Sequence, residues 1–245
     1  MRPDELNQVF NFDLLTTGFE AAALFTSISE AFEILKPVGA LPTWALSNHD
    51  SPRVASRLGV SQSQALFIAL LALPGSLYIY NGQELSLPDV MVEDAYRQDP
   101  VFFRTGGAQK GRDGARVPLP WSSTQSHCGF TSGTPWLPIP PEWSTLSVES
   151  QNSEESSSLN LYRRAVAVRR ELFTNESEIT WCSDLEKGLL AFKRDGYVVL
   201  LNTSAMTINY SCEGDIVLKS NLEVTANQNG VTLPPASACW VKVSE

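Results

Sequence analysis

Soft metal ligands are scarce in this 245-residue sequence. It contains only two histidines and four cysteines, and the cysteines lie far apart in the chain, with no CxxC pair among them. Zinc sites and iron–sulfur sites usually bring such residues together at short spacing. The sequence therefore predicts no metal and no cofactor. Free thiols in a reducing compartment are the favoured interpretation, and one or two disulfides in a secreted chain are the alternative.

Positive charge and long apolar runs are also lacking. The chain carries 18 Lys and Arg against 27 Asp and Glu, a formal net charge of -9 that repels phosphate backbones and argues against a nucleic-acid partner. The longest apolar run, residues 65–73, is far shorter than the roughly 20 residues that a membrane-spanning helix needs. The first residues have no apolar core of the kind found in signal peptides. We expect a soluble, cytoplasmic protein with no membrane partner.

Short apolar runs alternate with helical patterns in the first third of the chain. Runs at 9–15, 41–46 and 76–80 predict strands. Apolar residues recur at helical spacing over 19–35, and residues 62–73 are apolar almost all round, which is typical of a helix that is covered on both sides. This order predicts parallel strands joined by helical crossovers, in an α/β sheet or barrel.

The remaining chain changes character twice. Residues 86–151 are rich in proline, glycine, serine and tryptophan, and so long an irregular stretch is usually functional or disordered. Its tryptophans favour an ordered loop, and residues 151–158 are expected to form a mobile surface turn. A helix is predicted over 158–172. Beyond it, short apolar runs and a hairpin turn at residues 194–196 predict a small antiparallel β-domain from residue 175 to 245.

Polar residues follow the predicted strand at 41–46. Asn48, His49 and Asp50 come directly after it, at the end of a strand where α/β barrels place catalytic groups. By itself this tripeptide is weak evidence for catalysis, because all three residue types also favour turns and helix caps.

Longer motifs surround this tripeptide. Residues 46–53 read LSNHDSPR and residues 73–84 read LPGSLYIYNGQE; residues 111–121 read GRDGARVPLPW and residues 130–138 read FTSGTPWLP. In their order and spacing they resemble the α-glucosidases of glycoside hydrolase family 13, the α-amylase family.

The resemblance implies a partial barrel fold and the absence of two catalytic carboxylates. Residues 1–174 would be the C-terminal part of a (β/α)8 barrel, strands six to eight, with a long loop at about 86–151, and residues 175–245 would be a C-terminal β-sandwich. The family takes its aspartate nucleophile from strand four and its glutamate acid/base from strand five. A chain that starts at strand six would lack both.

The resemblance also assigns site residues. It implies that Asp50 is the carboxylate that stabilises the transition state and that His49 binds the same sugar. Arg112 would line the pocket mouth, with loop anchoring as the alternative. Arg53 would orient carboxylates in the pocket wall, with a salt bridge at a helix start as the alternative. Structural roles are expected for four further residues: Glu84, Tyr78, Tyr80 and Trp121.

These assignments predict a fragment of a retaining, exo-acting α-glucosidase that is inactive alone. Its substrate would be an α-glucoside di- or oligosaccharide, and its other partner would be the missing N-terminal half of the barrel. A transglycosylating relative of the sucrose isomerase type is one alternative. A truncated or non-catalytic chain that binds sugar is the other.

Overall fold

The structure, a computed structural model, describes residues 8, 10–174 and 177–243. The chain forms two compact units. Unit 1 comprises Met1–Ala45, Ser61–Tyr78 and Arg164–Glu245, and unit 2 comprises Leu46–Val60 and Ile79–Arg163. The predicted domain boundary between residues 174 and 175 falls inside unit 1, so the two compact units do not coincide with the two predicted domains. That boundary stays a prediction.

Helices and strands both contribute to the described residues. The α-helices are α1 (Ala21–Leu35), α2 (Val54–Leu58), α3 (Val60–Leu71), α4 (Pro100–Arg104), α5 (Val148–Asn152) and α6 (Ser158–Leu172). The strands are β1 (Thr43–Ala45), β2 (Ser76–Tyr78), β3 (Thr180–Trp181), β4 (Leu189–Arg194), β5 (Tyr197–Asn202), β6 (Ile208–Tyr210), β7 (Gly214–Lys219), β8 (Thr225–Asn227), β9 (Gly230–Leu233) and β10 (Ser237–Val243). Within this part of the chain, no helix is long and apolar enough to cross a membrane.

The predicted helices are confirmed. Leu24 and Ile28, on the apolar stripe of α1, are fully buried. Every residue from Ala65 to Leu71 in α3 is also buried, as its all-round apolar sequence predicts. Burying one such Leu or Ile side chain stabilises the fold by about 1.5–3 kcal/mol. Helix α6 begins and ends where its spacing predicts.

Strands β1 and β2 pair in parallel, with Trp44 opposite Leu77, as the strand–helix–strand order predicts. The Trp44 indole N–H donates to the carbonyl of Pro74 at 2.8 Å. Gly75 follows with φ 102°, and a Cβ there would lie 2.1 Å from the Pro42 carbonyl oxygen, so only glycine fits this turn.

The predicted strand at 9–15 is wrong within the described residues. Asp13–Leu15 form a 3-10 helix, and Val9 lies outside the description. The side chain of Asn11 accepts a hydrogen bond from the Asp13 backbone N–H at 2.9 Å and so favours a turn over a sheet partner. Leu14 and Leu15 are buried all the same, which explains why the run is apolar.

Antiparallel sheets follow α6, as predicted. One has the strand order β3-β4-β5-β10-β7 and the other β6-β9-β8. Asp195 and Gly196 both have positive φ, 48° and 79°, in the two-residue turn between β4 and β5.

Unit 2 is mostly irregular, but it has an apolar core that includes Leu87, Val117, Leu137 and Trp143. The predicted surface turn at 151–158 is wrong at Gln151, which is buried. Its side-chain amide donates to the carbonyls of Leu85 and Leu146 at 2.9 and 3.1 Å. A polar side chain is buried here because otherwise unpaired backbone oxygens need a donor.

Candidate active site

The predicted site residues lie in unit 2. After β1 the chain turns sharply, because the side-chain oxygen of Asn48 accepts the backbone N–H of Asp50 at 2.9 Å. The Ser47 hydroxyl accepts the backbone N–H of Val54, the first residue of α2, at 2.8 Å and so pairs one N–H that the helix leaves free. The turn leaves the side chains of His49 and Asp50 exposed to solvent, and hence available to a ligand.

Asp50 accepts hydrogen bonds from two guanidinium groups. Its Oδ1 lies 2.6 Å from Arg112 Nη1 and 2.9 Å from Arg116 Nη2. The other oxygen, Oδ2, lies 3.4 Å from Nε2 of His49. Arg116 also donates through Nε to the backbone carbonyl of His49 at 2.8 Å. These charge-assisted contacts fix the orientation of the Asp50 carboxylate.

The buried carboxylate of Asp99 contacts both arginines that bind Asp50. The side chain of Asp99 is fully buried, and its Oδ2 accepts from Nε and from the backbone N–H of Arg112 at 2.7 and 2.9 Å. Arg116 Nη1 lies 3.9 Å from the same oxygen. The hydrogen bonds from Arg112, with a further one from the Val101 N–H, hold the pKa of Asp99 far below its ordinary range. Asp99 in turn raises the pKa of Arg112.

The backbone around Asp99 is itself fixed. Oδ2 of Asp113 accepts the backbone N–H groups of Gln98 and Asp99 at 2.8 and 3.0 Å. Gly111 passes so close that a Cβ on it would lie 2.6 Å from the Asp99 Cβ, and its φ is 73°. The site therefore requires glycine before Arg112 for both space and backbone conformation.

A cleft of about 250 Å³ opens beside these groups. Asp50, Asp89, Lys110 and Arg112 are among its lining residues. Burial raises the pKa of Asp89, although its carboxylate accepts the backbone N–H of Arg53. Charged groups of both signs thus converge on one concave surface, which is typical of a ligand site.

Arg53 directly precedes α2, and its backbone N–H donates to the Asp89 carboxylate at 3.0 Å. Its pocket-wall role and its helix-start role both stay predictions. Its side chain is 2% exposed, and it donates to the backbone carbonyls of Asn81 and Ala115 at 2.7 and 2.9 Å. The guanidinium also stacks over the ring of Tyr80, 5.0 Å from its centroid. Burial lowers the pKa of Arg53. Arg53 therefore ties together the two loops behind the site, and its side chain binds backbone oxygens.

Four residues were expected from the sequence to have structural roles. Glu84 accepts the backbone N–H of Gly82 at 2.8 Å and shapes its own turn. Tyr80 packs on Arg53 and donates to the Ala115 carbonyl at 3.0 Å. Trp121, by contrast, is 51% exposed, and its expected packing role stays a prediction. Tyr78 is also exposed, at 42%.

Sequence reasoning missed two residues of this network, Arg116 and Asp99. Arg116 stands inside the GRDGARVPLPW motif and could have been found there. The only local signal at Asp99 is the Asp-Pro pair that caps α4, where Asp99 accepts the Val101 N–H. No group of three or more potential metal ligands occurs among the residues that the structure describes.

The profile of the α-amylase family, for its catalytic domain, matches residues 4–176 of this chain. The chain belongs to the α-amylase family. It is 32% identical over 209 residues to Maltase A1 of Drosophila melanogaster, a match that covers 79% of this chain and 35% of that protein.

Solved structures agree with this membership. The chain is 29% identical in sequence to the α-glucosyl transfer enzyme XgtA, whose crystal structure superposes with a TM-score of 0.82. The match covers 97% of this chain and 46% of the XgtA chain. The chain is also similar to the isomaltulose synthase SmuA from Protaminobacter rubrum, with 21% identity and a TM-score of 0.84. That match covers 99% of this chain and 52% of SmuA, and at this identity it supports the fold alone. The chain therefore spans between a third and about half the length of these relatives.

Proposed function

We propose that this α-amylase family chain is the C-terminal half of a retaining, exo-acting α-glucosidase, and that Asp50 is its transition-state-stabilising carboxylate. The observation that carries the proposal is the pair of hydrogen bonds from Arg112 and Arg116 to Oδ1 of Asp50. An exposed aspartate held by two arginines beside a cleft is poised to accept hydrogen bonds from sugar hydroxyls. The order of the four motifs supports the position of this chain within the longer enzyme.

Retaining hydrolysis needs two further carboxylates, about 5–5.5 Å apart, one as nucleophile and one to protonate the leaving oxygen. The family takes both from barrel strands that the motif order places before this chain. The chain alone is then inactive. In the complete barrel, the negative charge of Asp50 opposes the positive charge that develops on the sugar, and His49 binds the same ring.

The charges around Asp50 suit this role. Two arginines alone would cancel much of its field at the sugar. Asp99 offsets them, so Asp50, Asp99, Arg112 and Arg116 together carry a formal charge near zero. Of these four residues, Asp50 is the carboxylate that lines the cleft. The contacts are fixed before substrate arrives, which is the property that makes electrostatic stabilisation effective.

With this function we propose two domains, whose boundary follows the change in sequence pattern near residue 174. Residues 1–174 would complete a (β/α)8 barrel as strands six to eight, with the loop at about 86–151, and residues 175–245 would form the closing β-sandwich. The substrate would be a neutral α-glucoside, and the partner would be the N-terminal half of the barrel. We place the protein in the cytoplasm.

Two alternatives differ in chemistry. The first is a transglycosylating relative of the sucrose isomerase type, and the likeness to XgtA, an α-glucosyl transfer enzyme, supports it. A chain that binds sugar without catalysis would keep Asp50 and the cleft but never gain the missing carboxylates. Product analysis with and without the N-terminal half separates these alternatives.

The test uses the purified chain and a fusion to barrel strands one to five of a family relative. We expect no turnover of an aryl α-glucoside by the chain alone and retention of configuration by the fusion. Asp50→Asn in the fusion should lower kcat by a factor on the order of 10²–10⁴. Turnover by the isolated chain that Asp50→Asn abolishes would refute the proposal, and so would a fusion variant within a few-fold of wild type.

A further inference from the structure

A second cleft, of about 430 Å³, lies in unit 2 and includes none of the arginines around Asp50. Its floor is formed by members of the unit 2 core, among them Val92 and Trp143. Prolines at four positions form part of its rim: Pro88, Pro138, Pro140 and Pro141. Because proline fixes φ, the backbone has less freedom at these four positions, which favours a cleft that is formed before any ligand binds.

The second cleft shares a wall with the candidate active-site cleft. Asp89, Val90 and Met91 line both. The backbone N–H of Val90 donates to the Gly114 carbonyl at 3.1 Å, which ties this wall to the loop that carries Arg112 and Arg116. Met91 is 88% exposed at the wall. A chain of sugar rings that starts at Asp50 can therefore cross Met91 and continue into the second cleft.

The surface of the second cleft suits sugar rings. Tyr96 lines the cleft and is 52% exposed, so its ring is accessible to the C–H side of a pyranose. Glu93 and Glu142 provide exposed carboxylate oxygens that can accept hydrogen bonds from hydroxyls. A rigid apolar floor with a few polar groups at its edge is the usual composition of a small-molecule site.

The charge of the cleft restricts what it can bind. Asp89, Glu93 and Glu142 line it, and no Lys, Arg or His is found among the described residues that do so. A phosphate or carboxylate on the ligand would meet only carboxylates there. Repulsion of this kind is weakened by salt because the groups are close to solvent.

We infer that the second cleft binds the reducing-end units of a neutral α-glucoside oligosaccharide whose non-reducing glucose lies at Asp50. This inference rests on the proposed function and deepens it. It makes the chain part of an enzyme for oligosaccharides longer than a disaccharide, and it excludes substrates with an anionic group at the reducing end.

The test measures sugar binding to the purified chain by NMR titration. Maltose is expected to occupy the Asp50 cleft, so its dissociation constant measures binding there. Maltopentaose is long enough to occupy both clefts, so its dissociation constant includes the contribution of the second cleft. We expect maltopentaose to bind about tenfold more tightly than maltose, and Tyr96→Ala to remove most of that gain while leaving maltose binding within about twofold. Phe103→Ala is the matched control, since Phe103 is 63% exposed and lines neither cleft.

A second comparison tests the charge. Maltopentaose and its aldonic acid, in which the reducing end is oxidised to a carboxylate, differ only at the position that the second cleft receives. The aldonate should bind more weakly, and Glu93→Gln with Glu142→Gln should reduce the difference.

Equal affinity for maltose and maltopentaose would overturn the inference and leave the proposed function intact. The inference would also fail if the Tyr96 and Phe103 variants lost the same amount of binding. Absence of binding by every sugar, or maltose binding that Asp50→Ala does not weaken, would overturn the proposed function as well.

Discussion

Nε of Arg112 lies 2.7 Å from Oδ2 of Asp99, a carboxylate whose side chain is entirely buried. The far end of the same guanidinium contacts Asp50 at 2.6 Å. One planar group thus joins a buried anion to an exposed one, and the position of the exposed anion depends on the buried one.

The first prediction concerns pH. Hydrogen bonds from Arg112 hold the pKa of Asp99 below the ordinary value of about 3.9. A depressed pKa stabilises the fold above the ordinary value, and this stabilisation is lost as the pH falls below about 4 towards the pKa of the folded state. Urea denaturation between pH 7 and pH 3 should show this loss. Asp99→Asn should lower the free energy of unfolding at pH 7 by about 1–3 kcal/mol and flatten the acid limb.

Asp94→Asn is the control for this measurement. The pKa of Asp94 is also lowered, by Lys110 and Arg97, but its side chain is 58% exposed. Exposed ion pairs contribute little to stability, so this variant should behave nearly as wild type. Equal effects of the two substitutions would show that burial of Asp99 has no special importance.

The second prediction concerns the shape of Arg112. A lysine ammonium is a point charge and cannot reach Asp50 and Asp99 together as the planar guanidinium does. In the fusion enzyme, Arg112→Lys should lower kcat/KM by about tenfold to a hundredfold, the effect of losing one charge-assisted hydrogen bond of about 1.5–3 kcal/mol. Arg104→Lys, at an exposed position outside the cleft, is the control. Full activity of Arg112→Lys would instead support the alternative role of Arg112, which is to anchor its loop.

The third prediction separates structure from binding at Arg53. Arg53→Met removes the guanidinium donor to the Asn81 carbonyl and one of the two donors to the Ala115 carbonyl, the other being the Tyr80 hydroxyl. We expect the free energy of unfolding to fall by about 2–4 kcal/mol, measured in urea, with sugar affinity of the folded protein within a few-fold of wild type. Arg104→Met should change neither quantity. Normal stability with lost affinity would instead support the pocket-wall role that the resemblance implies.

The fourth prediction tests the domain boundary. Trp240 of β10 is fully buried, and its indole N–H donates to the carbonyl of Ile68 in α3 at 2.9 Å. Trp240→Phe should lower the free energy of unfolding by about 1–3 kcal/mol and reduce the melting temperature, while Trp136→Phe, at a half-exposed position, should not. An unchanged melting temperature would show that the strands after residue 174 fold independently of α3, as the sequence-based division predicts.

The sequence by itself determined the periodic elements and the motifs. Helices α1, α3 and α6 follow from apolar spacing, because a helix repeats every 3.6 residues whatever it packs against. The hairpin between β4 and β5 follows from Asp195-Gly196, since the turn needs residues that accept positive φ. The motifs identified the family and predicted the role of Asp50. The backbone turn at Asn48 that precedes Asp50 is likewise encoded within a few residues.

Only the tertiary structure decided which distant groups meet. Asp99 and Arg53 are charged residues that the fold buries, and their partners lie 13 and 62 positions away in sequence, at Arg112 and Ala115. Gln151 is buried for the same reason, to satisfy a backbone carbonyl 66 positions away. Such choices depend on which donors and acceptors the fold leaves without water, and no local pattern records that.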